Sequence, residues 1–122
     1  MRIAVPVDDK TIEAGVCPSF GRTPYFLIYD TDSTESRFID NSASEIQGGA
    51  GIKAAQVIVD NSANVLLTPR CGKNAAEVIK AAGIGIYKTI DSTAMDNINM
   101  FGAGKLEILT DIHAGFHKHG ES

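Results

Sequence analysis

Long apolar runs are absent from this chain. None approaches the ~20 residues that a membrane-spanning helix needs. The N-terminal segment, MRIAVPVDDK, has one basic residue, a short apolar stretch and then two aspartates. Because that stretch is too short for the core of a signal peptide, it predicts a first β-strand instead. We therefore expect a cytoplasmic protein with no membrane partner.

Clustered positive charge is also lacking. The 122 residues include 11 Lys and Arg against 15 Asp and Glu, which gives a net charge of -4, and the basic residues are spread along the chain. Nucleic-acid-binding proteins usually present a basic face, so we expect no nucleic-acid partner. The hydrophobic fraction of 43% and the charged fraction of 21% are those of a globular protein and exclude the disordered and fibrous classes.

Cysteine is scarce, with only Cys17 and Cys71 in the chain. In the cytoplasm such thiols are more often free or metal-binding than joined in a disulfide. A chain of this length forms one domain with an ordinary core and needs no covalent cross-link.

Hydrophobic patterning predicts a mixed α/β domain. Strands are expected over 2–7, 24–30, 34–41, 64–68 and 85–89, and helices over 51–61, 73–82 and a third segment whose inner face is Ala94, Met95, Ile98 and Phe101. The first three strands favour an antiparallel meander, and the later strand–helix–strand unit implies a right-handed parallel crossover. We predict a ribonuclease H-like three-layer sandwich with a mixed five-stranded sheet; a flavodoxin-like sheet would use similar elements. The domain covers 1–110, and 111–122 is predicted to be a flexible, histidine-containing tail.

The two cysteines are candidate metal ligands. Cys17 follows the first strand and Cys71 the fourth, and these strands are predicted to be parallel neighbours. Both loops would then emerge at the carboxyl edge of the sheet, where ligands of α/β proteins bind. Cys71 also precedes a helix and follows Arg70, and both favour the thiolate that binds metal. The alternative is that both cysteines are small buried hydrophobic residues.

A glycine-rich stretch, Gly48-Gly49-Ala50-Gly51, opens a predicted helix. Free N–H groups at such an end attract anions, so the backbone of Gly49 and Gly51 could contact an anionic group. The stretch lacks the phosphate-binding loop pattern, and a tight turn with close packing is the alternative. Arg22 and Arg70 lie near the same predicted edge and could pair with an anion, although a solvated surface arginine is the usual case.

All three histidines, His113, His117 and His119, fall in the C-terminal segment. Their spacing could gather imidazoles around a first-row metal, whereas a disordered polar tail is the alternative. No nucleophile–base pair is recognisable, and Asp8 and Asp9 lie beyond the apolar first strand rather than within it. We therefore predict no enzyme activity, and a metal-dependent hydrolase that uses these aspartates is the weakest alternative.

Five segments resemble a known family when taken in order. They are MRIAVPV at 1–7, FGRTPYFLIYD at 20–30, GGAGIKAAQ at 48–56, GIGIY at 83–87 and Gly104-Lys105-Leu106. Together they are similar to the dinitrogenase iron-molybdenum cofactor biosynthesis family of nitrogenase accessory and cluster-carrier proteins. The resemblance spans roughly 1–110. Two departures stand out: Ser19 occupies a position where many relatives have histidine, and Pro69-Arg70-Cys71-Gly72 replaces a glycine-rich turn.

The resemblance implies binding and carrying of an iron-sulfur or iron-molybdenum-type cluster, with other cofactor-assembly proteins as partners. Two thiols cannot complete a four-ligand iron site, but a pre-built cluster needs fewer protein ligands. We expect contacts to the cluster from Cys17, Arg22, Gly49, Gly51, Arg70 and Cys71, and metal ligation by Cys17, Cys71, His113, His117 and His119. The alternative function is a metal-free regulatory module that binds a small molecule or a protein.

Overall fold

The structure is a computed structural model, and it describes residues 1–41, 48–110 and 112–113. Its elements in chain order are β1 (Arg2–Val7), β2 (Tyr25–Asp30), β3 (Ser36–Asp40), α1 (Ala50–Asp60), β4 (Val65–Leu67), β5 (Cys71–Gly72), α2 (Lys73–Ala81), β6 (Gly85–Tyr87), α3 (Ala94–Gly102) and β7 (Ile112–His113). None of the helices described is long and apolar enough to cross a membrane.

Five strands form one mixed sheet in the order β3-β2-β1-β4-β6. The β1–β2 and β2–β3 pairs are antiparallel, whereas β1–β4 and β4–β6 are parallel. The predicted meander followed by parallel crossovers is therefore confirmed, and so is the mixed five-stranded α/β sheet. The strand order and directions are compatible with a ribonuclease H-like architecture.

Strand β1 lies at the centre of the sheet because its side chains are apolar on both faces. Ala4 belongs to the core beneath α1 and α2, whereas Ile3 and Val5 belong to the core beneath α3. All three side chains are at most 1% exposed. The two cores make three layers, with a pair of helices on one face of the sheet and a single helix on the other.

A second, two-stranded sheet lies beside the first and consists of β5 and β7 in parallel. Ile112 pairs with Cys71 and packs against the core beneath α1 and α2, and His113 pairs with Gly72. These two residues open the segment predicted as a tail. His117 and His119 lie outside the described residues, and flexibility of 111–122 stays a prediction.

Candidate functional site

A cavity of about 550 Å³ opens where the loop after β1 meets the beginnings of α1 and α2. Three stretches of the chain line it: 18–22, 48–52 and 70–75. The first follows β1 and the last follows β4, which are parallel neighbours. The cavity therefore lies at the carboxyl edge of the sheet, where the sequence predicted a site.

Two helix N-termini border the cavity without side-chain caps. The N-cap residues are Gly49 for α1 and Gly72 for α2, and neither helix has an acidic residue in its first turn. Gly48 and Gly49 have φ angles of 69° and 70°, a left-handed conformation that favours glycine. Since no side chain of residues 1–41, 48–110 or 112 caps either end, the first-turn N–H groups and the positive ends of both helix dipoles favour a negatively charged ligand.

Glycine allows the three walls to approach closely. A Cβ atom on Gly21 would lie 3.2 Å from the backbone nitrogen of Gly51 and 3.3 Å from its Cα, and one on Gly51 would lie 3.5 Å from the Cβ of Ala75. The loop after β1 thus packs directly on the backbone of α1, and α1 packs on α2. Sequence reasoning identified Gly51 but missed Gly21, because its role depends on the neighbouring wall.

Two buried polar side chains fix the loop after β1. The hydroxyl of Thr23, which is fully buried, donates to the carbonyl of Val7 at 2.9 Å. The side-chain amide of Asn41 donates to the carbonyls of Gly21 at 3.2 Å and Thr23 at 2.9 Å. The sequence analysis missed both; the signal available to it was a polar residue next to the end of a predicted strand, Thr23 before β2 and Asn41 directly after β3.

Positive charge predominates around the cavity. Arg22, Arg70 and Lys73 line it and are exposed, and the described residues of the lining include no Asp or Glu. The salt bridges within the described part of the chain are Met1–Asp32 and Lys10–Asp40, both elsewhere. Lys73 was not among the predicted site residues. Together with the two helix ends, these side chains make the cavity suited to an anion.

The two cysteines are placed differently. Cys71 lines the cavity, yet it is only 1% exposed and packs in the core beneath α1 and α2. Cys17 is 7% exposed and is not among the lining residues; its thiol donates to the carbonyl of Ser19 at 3.7 Å.

Both thiols hold their protons more tightly than usual. Burial raises the pKa of Cys71 to about 11, with Lys80 acting in the opposite direction. Burial also raises the pKa of Cys17. The expectation that the helix end and Arg70 favour a Cys71 thiolate is therefore wrong in the absence of a ligand, because desolvation has the larger effect.

Of the predicted cluster contacts, Arg22, Gly49, Gly51, Arg70 and Cys71 come together around the cavity. Cys17 precedes the lining residue Pro18, and the backbone of His113 pairs with that of Gly72. In residues 1–41, 48–110 and 112–113, no three His, Cys, Asp or Glu side chains are grouped so that they could hold a metal ion.

Known proteins similar to this chain share its sequence pattern and its fold. A family model for the dinitrogenase iron-molybdenum cofactor matches residues 1–104. An uncharacterised protein from Methanocaldococcus jannaschii is 31% identical over 110 residues, which cover 88% of this chain and 90% of that protein.

Two solved structures extend the comparison. The apo form of the orange protein from Desulfovibrio gigas is 32% identical with a TM-score of 0.85, covering 89% of this chain and 92% of that one. A NifB-like protein from Thermotoga is 33% identical with a TM-score of 0.79, covering 98% of both chains. On the sequence match and the shared fold, the chain belongs to the dinitrogenase iron-molybdenum cofactor family.

Proposed function

We propose that this protein binds and carries an anionic metal–sulfur cluster, of the iron-sulfur or iron-molybdenum type, as an accessory protein in nitrogenase-type cofactor assembly. The observation that carries the proposal is the cavity itself. It is bordered by two helix N-termini that begin at glycine and by three cationic side chains, and no carboxylate is among the described residues of its lining.

Such a cavity matches the chemistry of a sulfide-rich anion. The sulfur atoms of a cluster accept hydrogen bonds from backbone N–H groups, and hydrogen bonds to cluster sulfurs are a common way for proteins to stabilise them. Arg22 and Arg70 each offer several N–H donors in a planar group, and Lys73 adds a point charge. Each helix end contributes about 0.3–1 kcal/mol of favourable interaction with an anion at an exposed site.

The open position of the site suits a carrier, which must release its cargo as well as hold it. The three cations are exposed, so solvent and salt weaken their attraction to the ligand. A pre-built cluster also brings most of its own metal ligands. This fits a site in which no three ligating side chains are grouped within the described ranges.

Direct ligation of the metal by side chains is a separate part of the proposed function. Cys71 is the thiol that lines the cavity, and with a pKa of about 11 its proton must leave when a metal binds. Ligation by Cys71 therefore becomes more favourable as pH rises, whereas hydrogen bonding and charge pairing do not require that change. Cys17, His113, His117 and His119 stay further proposed ligands.

The similarity to other proteins supports the same function. The family is named for the dinitrogenase iron-molybdenum cofactor. The two solved structures at 32% and 33% identity are of the orange protein in its apo form and of a NifB-like protein. These similarities favour a role in cofactor assembly over catalysis.

Anaerobic reconstitution with iron, sulfide and molybdate tests the proposal, with visible absorption and metal analysis after desalting. We expect the wild type to retain metal and the double variant Arg70→Gln/Lys73→Gln to bind about tenfold more weakly, since each exposed charge contributes up to about 1 kcal/mol. A control with the same change of charge is Lys88→Gln/Lys105→Gln, in which both lysines are exposed and outside the cavity. Equal retention by the two double variants contradicts the proposed site.

The cysteines are tested in the same assay. Loss of metal in Cys71→Ser, with loading that increases between neutral and mildly alkaline pH in the wild type, supports ligation by that thiol. Full retention in Cys71→Ser and Cys17→Ser excludes both thiols and leaves the backbone, the cations and the three histidines. Truncation after Ile112 tests the three histidines together.

A further inference from the structure

The rim of the cavity combines exposed positive charge with one exposed apolar side chain. Arg70 and Lys73 are exposed, and no salt bridge joins either to another described residue. Ile52, in the first turn of α1, also lines the cavity and is 45% exposed. Four large apolar side chains among the described residues are 44–64% exposed, and Ile52 alone of them is at the cavity.

This rim contrasts with the charge of the whole chain. The sequence carries a net charge of -4, yet the stretches 18–22, 48–52 and 70–75 contain three Arg and Lys residues and no Asp or Glu. A local potential opposite in sign to the rest of the surface steers oppositely charged partners to that place. A ligand seated in the cavity neutralises part of this charge, but the exposed side chains remain open to a second contact.

We propose that the cavity mouth is also a docking surface for an acidic protein segment that carries an apolar residue, and that docking promotes release of the bound cluster. The carboxylates of the segment would pair with Arg70 and Lys73, and its apolar side chain would pack on Ile52. The release step rests on the proposed cluster binding, whereas docking to the empty protein does not.

Competition for the same cations explains how docking would act on the cargo. When a carboxylate pairs with Lys73 or Arg70, that side chain contributes less to holding the cluster. By thermodynamic linkage, a partner that weakens cluster binding is itself bound more weakly when the cluster is present. The carrier would then respond to the recipient protein without a large change in its own fold.

A protein segment fits this rim better than a nucleic acid does. Nucleic-acid sites usually extend positive charge along a face so that it follows successive phosphates. Here Arg70 and Lys73 lie together at one cavity mouth, whereas the chain as a whole is acidic. An exposed aliphatic side chain such as Ile52 suits the apolar side chain of a peptide.

Docking is tested first on the empty, ¹⁵N-labelled protein by NMR titration with a glutamate-rich peptide that contains leucine. The same peptide with glutamine in place of glutamate is the control. We expect saturable shifts of the amides in 48–52 and 70–75, and affinity weakened about two- to fivefold by Lys73→Gln, as for one exposed charge pair. Lys105→Gln should leave binding unchanged. Ile52→Ser should also weaken it, whereas Ile90→Ser, at a residue of similar exposure outside the cavity, should not.

Release is tested on protein reconstituted with iron, sulfide and molybdate, by following the loss of retained metal after peptide addition. The acidic peptide should accelerate the loss severalfold and the glutamine peptide should not. Retained metal without peptide-induced shifts overturns docking, and peptide binding without faster loss overturns the release step. Peptide binding by a protein that never retains metal overturns the cluster proposal but leaves docking standing. Tighter binding of oligothymidylate than of the peptide overturns the choice of a protein partner.

Discussion

Thr93 caps α3 in the ordinary way, whereas α1 and α2 begin at glycines. The side-chain oxygen of Thr93 accepts a hydrogen bond from the backbone N–H of Asp96 at 3.0 Å, and Asp96 places a carboxylate in the first turn. Gly49 and Gly72 supply no side-chain cap to their helices, and no acid follows them in the first turn. The N-terminus of α3 is thus capped by a side chain, whereas the two helices that border the cavity have no such cap from the described residues.

This difference separates two requirements: the stability of the fold favours a capped helix end, whereas an anion site favours an uncapped one. An N-cap side chain stabilises a helix by about 0.5–2 kcal/mol over alanine, and glycine recovers most of that. A capping carboxylate at α1 or α2 would place negative charge where the proposed anion binds. The uncapped ends are therefore consistent with a site that gives up a little stability to keep its N–H groups for a ligand.

The largest expected effect is on stability, and it comes from pushing the loop after β1 away from α1. Gly21→Ala places a Cβ 3.2 Å from backbone of α1, and relieving that contact should lower the free energy of unfolding by about 1–3 kcal/mol. Gly15→Ala, in the same loop with nothing within 4 Å of the new Cβ, is the control and should change stability little. Urea denaturation of both variants measures this. Equal free energies of unfolding for Gly21→Ala and Gly15→Ala would contradict this prediction, because the loop would then move away from α1 at no cost.

A side-chain cap on α2, like the one that Thr93 gives α3, should raise the stability of the protein, and a negatively charged cap should also weaken metal binding. Gly72 has φ -71° and ψ 157°, an extended conformation that other residues adopt. We expect Gly72→Asp and Gly72→Asn to raise the free energy of unfolding by a few tenths of a kcal/mol, up to about 1 kcal/mol. Only Gly72→Asp, through its charge, should weaken metal retention strongly, by about tenfold. Equal retention by the two variants would mean that the end of α2 does not face the ligand.

Removing the cap of α3 is the reverse experiment. Thr93→Ala should lower the free energy of unfolding by about 1 kcal/mol and leave metal retention unchanged, because Thr93 does not line the cavity. Thermal or urea denaturation gives the first quantity, and the reconstitution assay gives the second. A loss of metal retention in a variant that is still fully folded would break the distinction between the two kinds of helix end.

The last expected effect is confined to alkaline pH and concerns the burial of the Cys71 thiol. Cys71 keeps its proton up to a pKa of about 11, against 9.0 for an unperturbed thiol. Between about pH 9 and 11 the unfolded chain loses this proton more readily than the folded protein, so stability should fall across that range. Cys71→Ala should remove this part of the pH dependence. Urea denaturation at several pH values compares the two, and an identical decline in both would exclude Cys71 as its source.

Most of the fold could be predicted because it depends on local patterns. Alternating or continuous apolar residues located β1 and β2, and the Ala75–Val78–Ile79 stripe located α2 close to its observed bounds. The parallel pairing of β1 with β4 was part of the predicted mixed sheet, and it brings the loop after β1 and the turn after β4 to one edge. The β5–β7 pair is only two residues long on each strand and leaves no pattern to detect.

The details of the site were less predictable because they depend on neighbours distant in sequence. Gly21 is important because it packs against the backbone of Gly51. Asn41 is important because its side-chain amide donates hydrogen bonds to two carbonyls of the loop after β1. The sequence suggested a helix end and a cation beside Cys71, but only the packing of that residue shows that desolvation has the larger effect on its pKa.

The contacts of Gly51 have a consequence for how this family can diversify. Gly51 is the residue at which the loop after β1 and the helix α2 both approach α1, and a Cβ on Gly21 would lie only 3.2 Å from its backbone nitrogen. The spacing between the loop after β1 and α1 is therefore set by contact of main chain with main chain. Point substitutions can readily alter the charge of the opening, through exposed positions such as Arg22 and Lys73. A change in the size of the cargo would instead require insertions or a shift of whole helices, so selectivity should evolve through charge before it evolves through shape.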